Sequence, residues 1–138
     1  MKETGILNRD IAAAISRQGH TDLLMVCDAG FAAPDHVEVI DISLSENKPR
    51  VLEMLAELRK YFSVEKIIMA LETREHNPVF FDKAAASFGD NVETEVVPHE
   101  EVKVLSHKVK TIIRTGDFTA WSNVVLVSGA GDRWEMEK

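Results

Sequence analysis

The sequence predicts an α/β fold, a single three-layer domain in which helices flank a central sheet that is mostly parallel or mixed. Segments with the apolar periodicity of helices alternate along the chain with short runs that are typical of strands. The run from Leu23 to Cys27 is continuously apolar, which indicates a central strand buried on both faces. The chain has 138 residues, which is within the usual size of one domain.

The N-terminal half of the chain is predicted to contain two helices and three strands. Asn8 is a suitable N-cap for the first helix, and Gly19 ends it. Pro49 opens the second helix, in which apolar side chains repeat at three- and four-residue steps. The strands are short apolar runs bounded by turn residues. In chain order, these elements are a helix over 8–18, strands over 23–27 and 37–40, a helix over 49–62 and a strand over 64–71.

The C-terminal half is predicted to continue with two further helices and two strands. Asn77 and Pro78 start one helix, and Pro98 starts the last, whose acidic first turn suits the positive end of the helix dipole. The strand between them alternates apolar and acidic residues, which is typical of a sheet edge. The elements are a helix over 77–88, a strand over 92–97, a helix over 98–115 and a strand over 124–127; a polar tail over 131–138 completes the predicted domain, 1–138.

Composition excludes several classes of function. The chain carries 16 Lys and Arg against 23 Asp and Glu, a net charge of −7, so it lacks the cationic surface that nucleic acids and anionic membranes attract. Cys27 is the only cysteine, which fits a reducing cytoplasm, and it completes an apolar strand as a core residue would. The histidines lack the spacing of a zinc site, so no metal is expected.

Three polar residues near predicted strand ends are candidates for chemistry, because open α/β sheets bind ligands beyond the carboxyl ends of their strands. His20 either satisfies the last carbonyls of the first helix or acts as a general acid or base, since histidine titrates near neutral pH. Asp28 either forms a turn, or orients an imidazole or accepts hydrogen bonds from sugar hydroxyls. His99 either caps the last helix or belongs to the site.

Four segments together resemble the ribose branch of the RbsD/FucU sugar mutarotase family. They occur in order and cover nearly the whole chain. Thr21, which follows Gly-His, favours the ribose branch over the fucose branch. The segments are Gly19-His20-Thr21-Asp22, Val26 to Gly30, Pro98 to Lys103, and Ile113 to Gly116 with Ser122-Asn123-Val124.

The resemblance implies an enzyme that interconverts the pyranose and furanose, or anomeric, forms of a free sugar by general acid/base ring opening, without metal, nucleotide or other cofactor. It also implies a homo-oligomer, commonly a decamer, with sites between neighbouring subunits. By resemblance, His20 is the proton donor, and the substrate-binding residues are Asp28, His99, Trp121, Ser122 and Asn123.

Two departures from the family pattern leave alternatives open. Trp121 stands where the family usually has tyrosine, which removes a hydroxyl and enlarges the aromatic face. The sugar could therefore be fucose or another aldose, and a sugar-binding module without turnover would use the same polar groups. The polar tail over 131–138 replaces an apolar ending, which affects the expected packing there.

Overall fold

A computed structural model describes residues 1–130 and 133–138. The strands are β1 (Leu23–Cys27), β2 (Glu38–Asp41), β3 (Val64–Ala70), β4 (Glu93–Val97), β5 (Thr111–Arg114) and β6 (Val124–Ser128). The helices are α1 (Arg9–Ser16), α2 (Val51–Arg59), α3 (Leu71–His76), α4 (Pro78–Ala86) and α5 (His99–Ser106).

The six strands form one mixed sheet in the order β2-β5-β1-β6-β3-β4. Neighbouring strands are parallel, except that β6 runs antiparallel to both β1 and β3. The carboxyl ends of five strands therefore meet the amino end of β6 at one edge, called here the carboxyl edge. The opposite edge, where β6 ends, is called the amino edge.

Two apolar clusters, one on each face of the sheet, hold the layers together. Side chains of a strand alternate between faces, so Leu24 and Val26 of β1 join one cluster while Met25 and Cys27 join the other. Helices α1, α2 and α4 pack on the first cluster, and α5 packs on the second through the buried Val102. This arrangement confirms the predicted three-layer α/β class and the central position of β1.

The edge prediction is also confirmed, because β4 lies at one end of the sheet. Asn8 caps α1 as predicted, since its Oδ1 accepts hydrogen bonds of 3.0 Å from the N–H groups of Asp10 and Ile11. The helix ends at Ser16, two residues before the predicted Gln18.

The prediction of one helix over 98–115 is wrong. Helix α5 ends at Ser106, and Thr111–Arg114 forms β5, a strand inserted between β1 and β2. Thr111, Ile112 and Ile113 are three consecutive β-branched residues, which favour an extended backbone. The helical pattern before them obscured this signal, because Gly116 is the first glycine or proline after Pro98.

The strand predicted over 64–71 ends one residue early, and Leu71 begins the short helix α3, which was not predicted. Of the predicted tail over 131–138, Gly131 and Asp132 lie outside the described residues, and 133–138 contain no helix or strand. No helix within 1–130 or 133–138 is long and apolar enough to cross a membrane.

Candidate active site

Five of the six predicted site residues meet at the carboxyl edge of the sheet. Asp28 follows β1, and His99 begins α5 directly after β4. Trp121, Ser122 and Asn123 immediately precede β6, which runs the other way, so its amino end lies at the same edge. The mixed topology is therefore what brings these residues, distant in sequence, onto one surface.

Asp28 and Asn123 are joined directly. The Asp28 N–H donates to Asn123 Oδ1 at 3.0 Å, and Asp28 Oδ1 accepts from the Gly30 N–H at 3.0 Å. Burial raises the pKa of the Asp28 carboxyl, although the N–H groups of Gly30, Phe31 and Ser122 oppose this effect. Asp28 also lines a cavity of about 340 Å³, which is within the range of small-molecule sites.

Trp121 is held in an unusual conformation with one face covered. Its backbone φ is +55°, a region that bulky residues rarely occupy, and its carbonyl accepts a 2.6 Å hydrogen bond from Thr73 Oγ1. The indole stacks on the His76 imidazole, with ring centroids 4.9 Å apart and planes 24° from parallel. A ligand can therefore stack only on the opposite face of the indole.

Ser122 is fully buried, and its Oγ donates to the Thr119 carbonyl at 2.8 Å. That hydrogen bond closes the turn that precedes β6, so the hydroxyl shapes the site locally. Asn123 is also buried, and because its Oδ1 accepts from Asp28, its amide nitrogen is left as a hydrogen-bond donor.

His99 presents a polar atom that lacks a partner. Its ring packs edge-on against Phe31, with centroids 6.4 Å apart, and its backbone N–H donates to Glu72 Oε2 at 2.9 Å. Within the described residues, His99 Nδ1 is buried and makes no hydrogen bond. Buried polar atoms are nearly always hydrogen-bonded, so this unpaired nitrogen is available to a ligand, and the imidazole does not cap α5.

Two acidic residues at the carboxyl edge escaped the sequence analysis. Glu72 anchors the start of α5 through His99, as described above. Asp117 is buried; its Oδ2 accepts from the Val51 N–H at 2.9 Å at the start of α2, and its Oδ1 accepts from Thr119 at 2.8 Å. Asp117 also lines the cavity beside Asp28. Each follows a strand by two or three residues, but the strand before Asp117 was predicted as a helix, so only Glu72 carried this signal in the sequence.

His20 lies at the amino edge, away from the other predicted residues. The length of β1 separates it from Asp28, and four steps of about 3.3 Å along that strand alone amount to roughly 13 Å. The expectation that strand ends would group His20 with Asp28 is therefore wrong within one chain. His20 does not satisfy helix carbonyls either: its Nε2 lies 2.8 Å from Glu65 Oε2, and the ring lines a second cavity of about 540 Å³.

Several hydrogen bonds and one ion pair fix the turn that carries His20. Thr21 has a φ of +72°, and its N–H donates to the Ser128 carbonyl at 2.8 Å. Asp22 Oδ2 accepts from the Gly19 N–H at 2.7 Å and from Lys110 Nζ at 2.6 Å. The Lys110 ammonium, followed by the Gly19 N–H, lowers the pKa of the Asp22 carboxyl.

Cys27 and Lys103 play no part in the arrangement described above. Burial raises the pKa of the Cys27 thiol to about 12, so at neutral pH it is an uncharged core residue, as predicted. Lys103 is exposed and lies 3.5 Å from Glu100. Among residues 1–130 and 133–138, no cluster of three or more His, Cys, Asp or Glu side chains could hold a metal ion.

Comparisons with known proteins match nearly the whole chain. The family model described as the RbsD / FucU transport protein family matches residues 1–131. A D-ribose pyranase of Halalkalibacterium halodurans is 42% identical over 129 residues, which cover 94% of this chain and 98% of that protein. A D-ribose pyranase of Pseudothermotoga lettingae is 36% identical over 138 residues and covers 100% and 99% of the two chains.

Solved structures agree with these matches. The structure of Bacillus subtilis RbsD complexed with D-ribose shares 37% identity and a TM-score of 0.90, over 95% of this chain and 99% of that one. The fucose mutarotase of Streptococcus pneumoniae, solved in complex with L-fucose, has a TM-score of 0.71 with 14% identity over 95% of this chain and 99% of that one. At 14% identity, this second similarity indicates a shared fold only.

Proposed function

The chain belongs to the RbsD / FucU transport protein family, and from that premise we propose that it is a D-ribose pyranase, an isomerase that interconverts the pyranose and furanose forms of D-ribose. The observation that carries this proposal is the match to D-ribose pyranases, 36% to 42% identical over 94% or more of the chain. The carboxyl edge supports it, because its buried polar groups suit the hydroxyls of a neutral sugar.

The reaction needs only modest help from the protein. To open a cyclic hemiacetal, a proton is delivered to the ring oxygen while another leaves the anomeric hydroxyl. His20 is the proposed proton donor, since imidazole exchanges protons near neutral pH. General acid/base help of this kind accelerates a reaction by about 10²- to 10⁴-fold, which is adequate for a ring opening that already proceeds slowly in water.

The carboxyl edge is the proposed binding surface for the sugar. The Asp28 carboxylate would accept hydrogen bonds from sugar hydroxyls, His99 Nδ1 would pair with another hydroxyl, and the Asn123 amide nitrogen would donate to one. The uncovered face of Trp121 would pack against C–H groups of the ring. Ser122 would act indirectly, because its hydroxyl is used to close the turn before β6.

Because His20 lies at the opposite edge of the sheet, the complete site would need two copies of the chain. The proposed assembly is a homo-oligomer, a decamer by family resemblance, in which the amino edge of one copy faces the carboxyl edge of another. The proposed location is the cytoplasm, which suits a chain whose single cysteine is buried and reduced.

Exchange NMR on a panel of aldoses tests the proposed function. Catalytic amounts of the protein should broaden the pyranose and furanose signals of ribose, or increase saturation transfer between them. The effect on ribose should be larger than the effect on the ring forms of fucose. The variant His20→Ala should lose the acceleration while it still binds ribose. His36→Ala is the matched control, because His36 is an exposed histidine that stacks on His107 and lines neither the cavity of His20 nor that of Asp28.

The outcomes separate the alternatives. Faster exchange for fucose than for ribose would favour another aldose mutarotase. Binding without faster exchange of any sugar would leave a sugar-binding module and would overturn the assignment as an enzyme.

A further inference from the structure

The residue that contacts His20 has no role so far in the proposed function. Glu65, in β3, places its Oε2 2.8 Å from His20 Nε2. In the single chain the two side chains are 43% and 58% exposed, and ion pairs at such positions contribute little to stability. The contact therefore needs an explanation other than holding the fold together.

The backbone of β3 is distorted where this glutamate lies. Val64 pairs with Ser128 of β6 and Lys66 pairs with Val127, so two steps along β3 match one step along β6. Glu65 is the extra residue of a β-bulge. Bulges change the direction in which a side chain points and are common beside active sites.

The facing strand accommodates this bulge with a residue that has no side chain. Gly129 directly follows β6, and a Cβ added to it would lie 3.0 Å from Glu65 N and 3.1 Å from Glu65 Cβ. Contacts that short would push the bulge, and Glu65 with it, away from its place. The Gly129 N–H also donates to the Ser63 carbonyl at 2.9 Å, which ties the two segments together.

The backbone that carries His20, the other residue of the contact, is held equally firmly. His20 stands on the turn whose next residue, Thr21, has a positive φ and bonds to Ser128, the same residue that pairs with Val64. The end of β6 thus holds both the turn that carries the imidazole and the bulge that carries the carboxylate. The His20–Glu65 hydrogen bond joins the positive-φ turn to the β-bulge. Backbone distortions of this kind are concentrated at functional sites.

We propose that Glu65 is a positioning residue for the proton donor, a role that rests on the proposed function. The Glu65 carboxylate accepts the Nε2–H of His20, which fixes the ring and leaves Nδ1 to act on the sugar. During ring opening, the proton on Nδ1 goes to the ring oxygen as the bond from the anomeric carbon breaks. The proton of the anomeric hydroxyl goes to water, and water returns a proton to Nδ1.

Three variants test this role by the exchange rate of ribose. Glu65→Ala should lower kcat about tenfold or more with little change in KM, because a hydrogen bond to a charged group is lost from the donor but not from the binding surface. Glu65→Gln should recover part of the rate, since its amide oxygen still accepts from Nε2–H. Glu57→Gln is the control: it removes another exposed ion pair of similar length, to Lys60 at 2.9 Å, and should leave kcat unchanged.

A double variant shows whether Glu65 acts through His20. Measured at high protein concentration, His20→Ala and His20→Ala/Glu65→Ala should have the same residual rate, because a positioning residue has nothing left to position. Once Nδ1 has given up its proton, the ¹⁵N signals of the neutral His20 ring should report a single Nε2–H tautomer in the wild type and a mixture of tautomers in Glu65→Ala. Oligomer size and circular dichroism would identify a variant that fails to assemble, in which case Glu65→Gln carries the test.

The results distinguish the two proposals. An active wild type with an inactive His20→Ala and a fully active Glu65→Ala would overturn the role of Glu65 alone. A further rate loss in the double variant would also overturn it, since the glutamate would then act independently of His20. A wild type that does not accelerate ribose exchange would overturn the proposed function itself.

Discussion

The two edges of the sheet hold their polar groups in different ways. At the carboxyl edge, Ser122, Asn123 and Asp117 are buried, and each makes a hydrogen bond within the chain. At the amino edge, the side chains of His20 and Glu65 remain about half exposed, and a bulge and a positive-φ turn define their positions.

The difference shows which part of the proposed site each chain completes by itself. A surface that binds a neutral sugar needs hydrogen-bonding groups fixed before the sugar arrives, and burial fixes them. A proton donor must also exchange protons with water, and the exposed side chain of His20 can do so. In this chain the two requirements are met at opposite edges, so a second copy would bring them together.

The largest effect is expected when each edge is inactivated in a separate copy. His20→Ala and Asp28→Ala should each lose nearly all acceleration of ribose exchange. If the two variants are dissociated, mixed in equal amounts and reassembled, roughly a quarter of the sites should regain both residues, because each site draws one edge from each neighbour. Activity of the mixture equal to the mean of the two variants would show instead that one chain supplies the whole site.

The next prediction tests whether the buried Asp28 carboxylate at the carboxyl edge strengthens sugar binding while it lowers the stability of the fold. Asp28→Asn should weaken ribose binding by about 10- to 100-fold, since a hydrogen bond to a charged group contributes about 1.5 to 3 kcal/mol. The same variant should unfold at a higher temperature than the wild type at pH 7.

The sign of that stability change follows from the raised pKa of Asp28. As pH rises from the ordinary Asp value near 3.9 through the raised folded value, the unfolded chain releases its proton first, so the wild type loses stability. The advantage of Asp28→Asn should therefore shrink at pH 3 and reach its full size above the raised pKa. Exposed Asp82→Asn is the control, and an advantage that does not change with pH would contradict this explanation.

A smaller effect is expected at the aromatic face of the carboxyl edge. Trp121→Tyr restores the family's usual hydroxyl and should shift the preference among aldoses toward ribose. His76→Ala should weaken sugar binding by about 1 kcal/mol, because the indole loses the stacked ring that supports it. His76→Phe retains an aromatic ring and is the control; equal affinities of all three proteins, measured by titration calorimetry, would show that the stacking does not matter.

The smallest effect concerns the turn at the amino edge. Thr21 is exposed and β-branched, and its φ of +72° is unfavourable for such a residue. Thr21→Gly should raise the free energy of unfolding by about 1 kcal/mol, measured with urea, if the turn keeps its shape. Thr94→Gly, within the regular strand β4, should lower it by a similar amount. A destabilised Thr21→Gly would mean that the threonine makes a contribution beyond its backbone conformation.

Local signals allowed most of the fold to be predicted, but not all of it. The buried run of β1 and the alternation in β4 are visible in the sequence because burial on two faces or one leaves a distinct pattern. Strand β5 was missed because four residues, Thr111–Arg114, are too few to outweigh a helical pattern that precedes them without a break. Helix α3 was missed because it begins within the apolar run of β3.

The sequence alone determined the types of residue available for chemistry, the net acidic charge and the central strand, because these depend on composition and on neighbours along the chain. Only the tertiary structure decided which residues meet. His20 and Asp28 are eight positions apart in sequence, yet an extended strand carries them to opposite edges, whereas Glu65 comes from 45 residues away to contact His20. Contacts between distant segments depend on the order of the strands in the sheet, and the local pattern of residues does not specify that order.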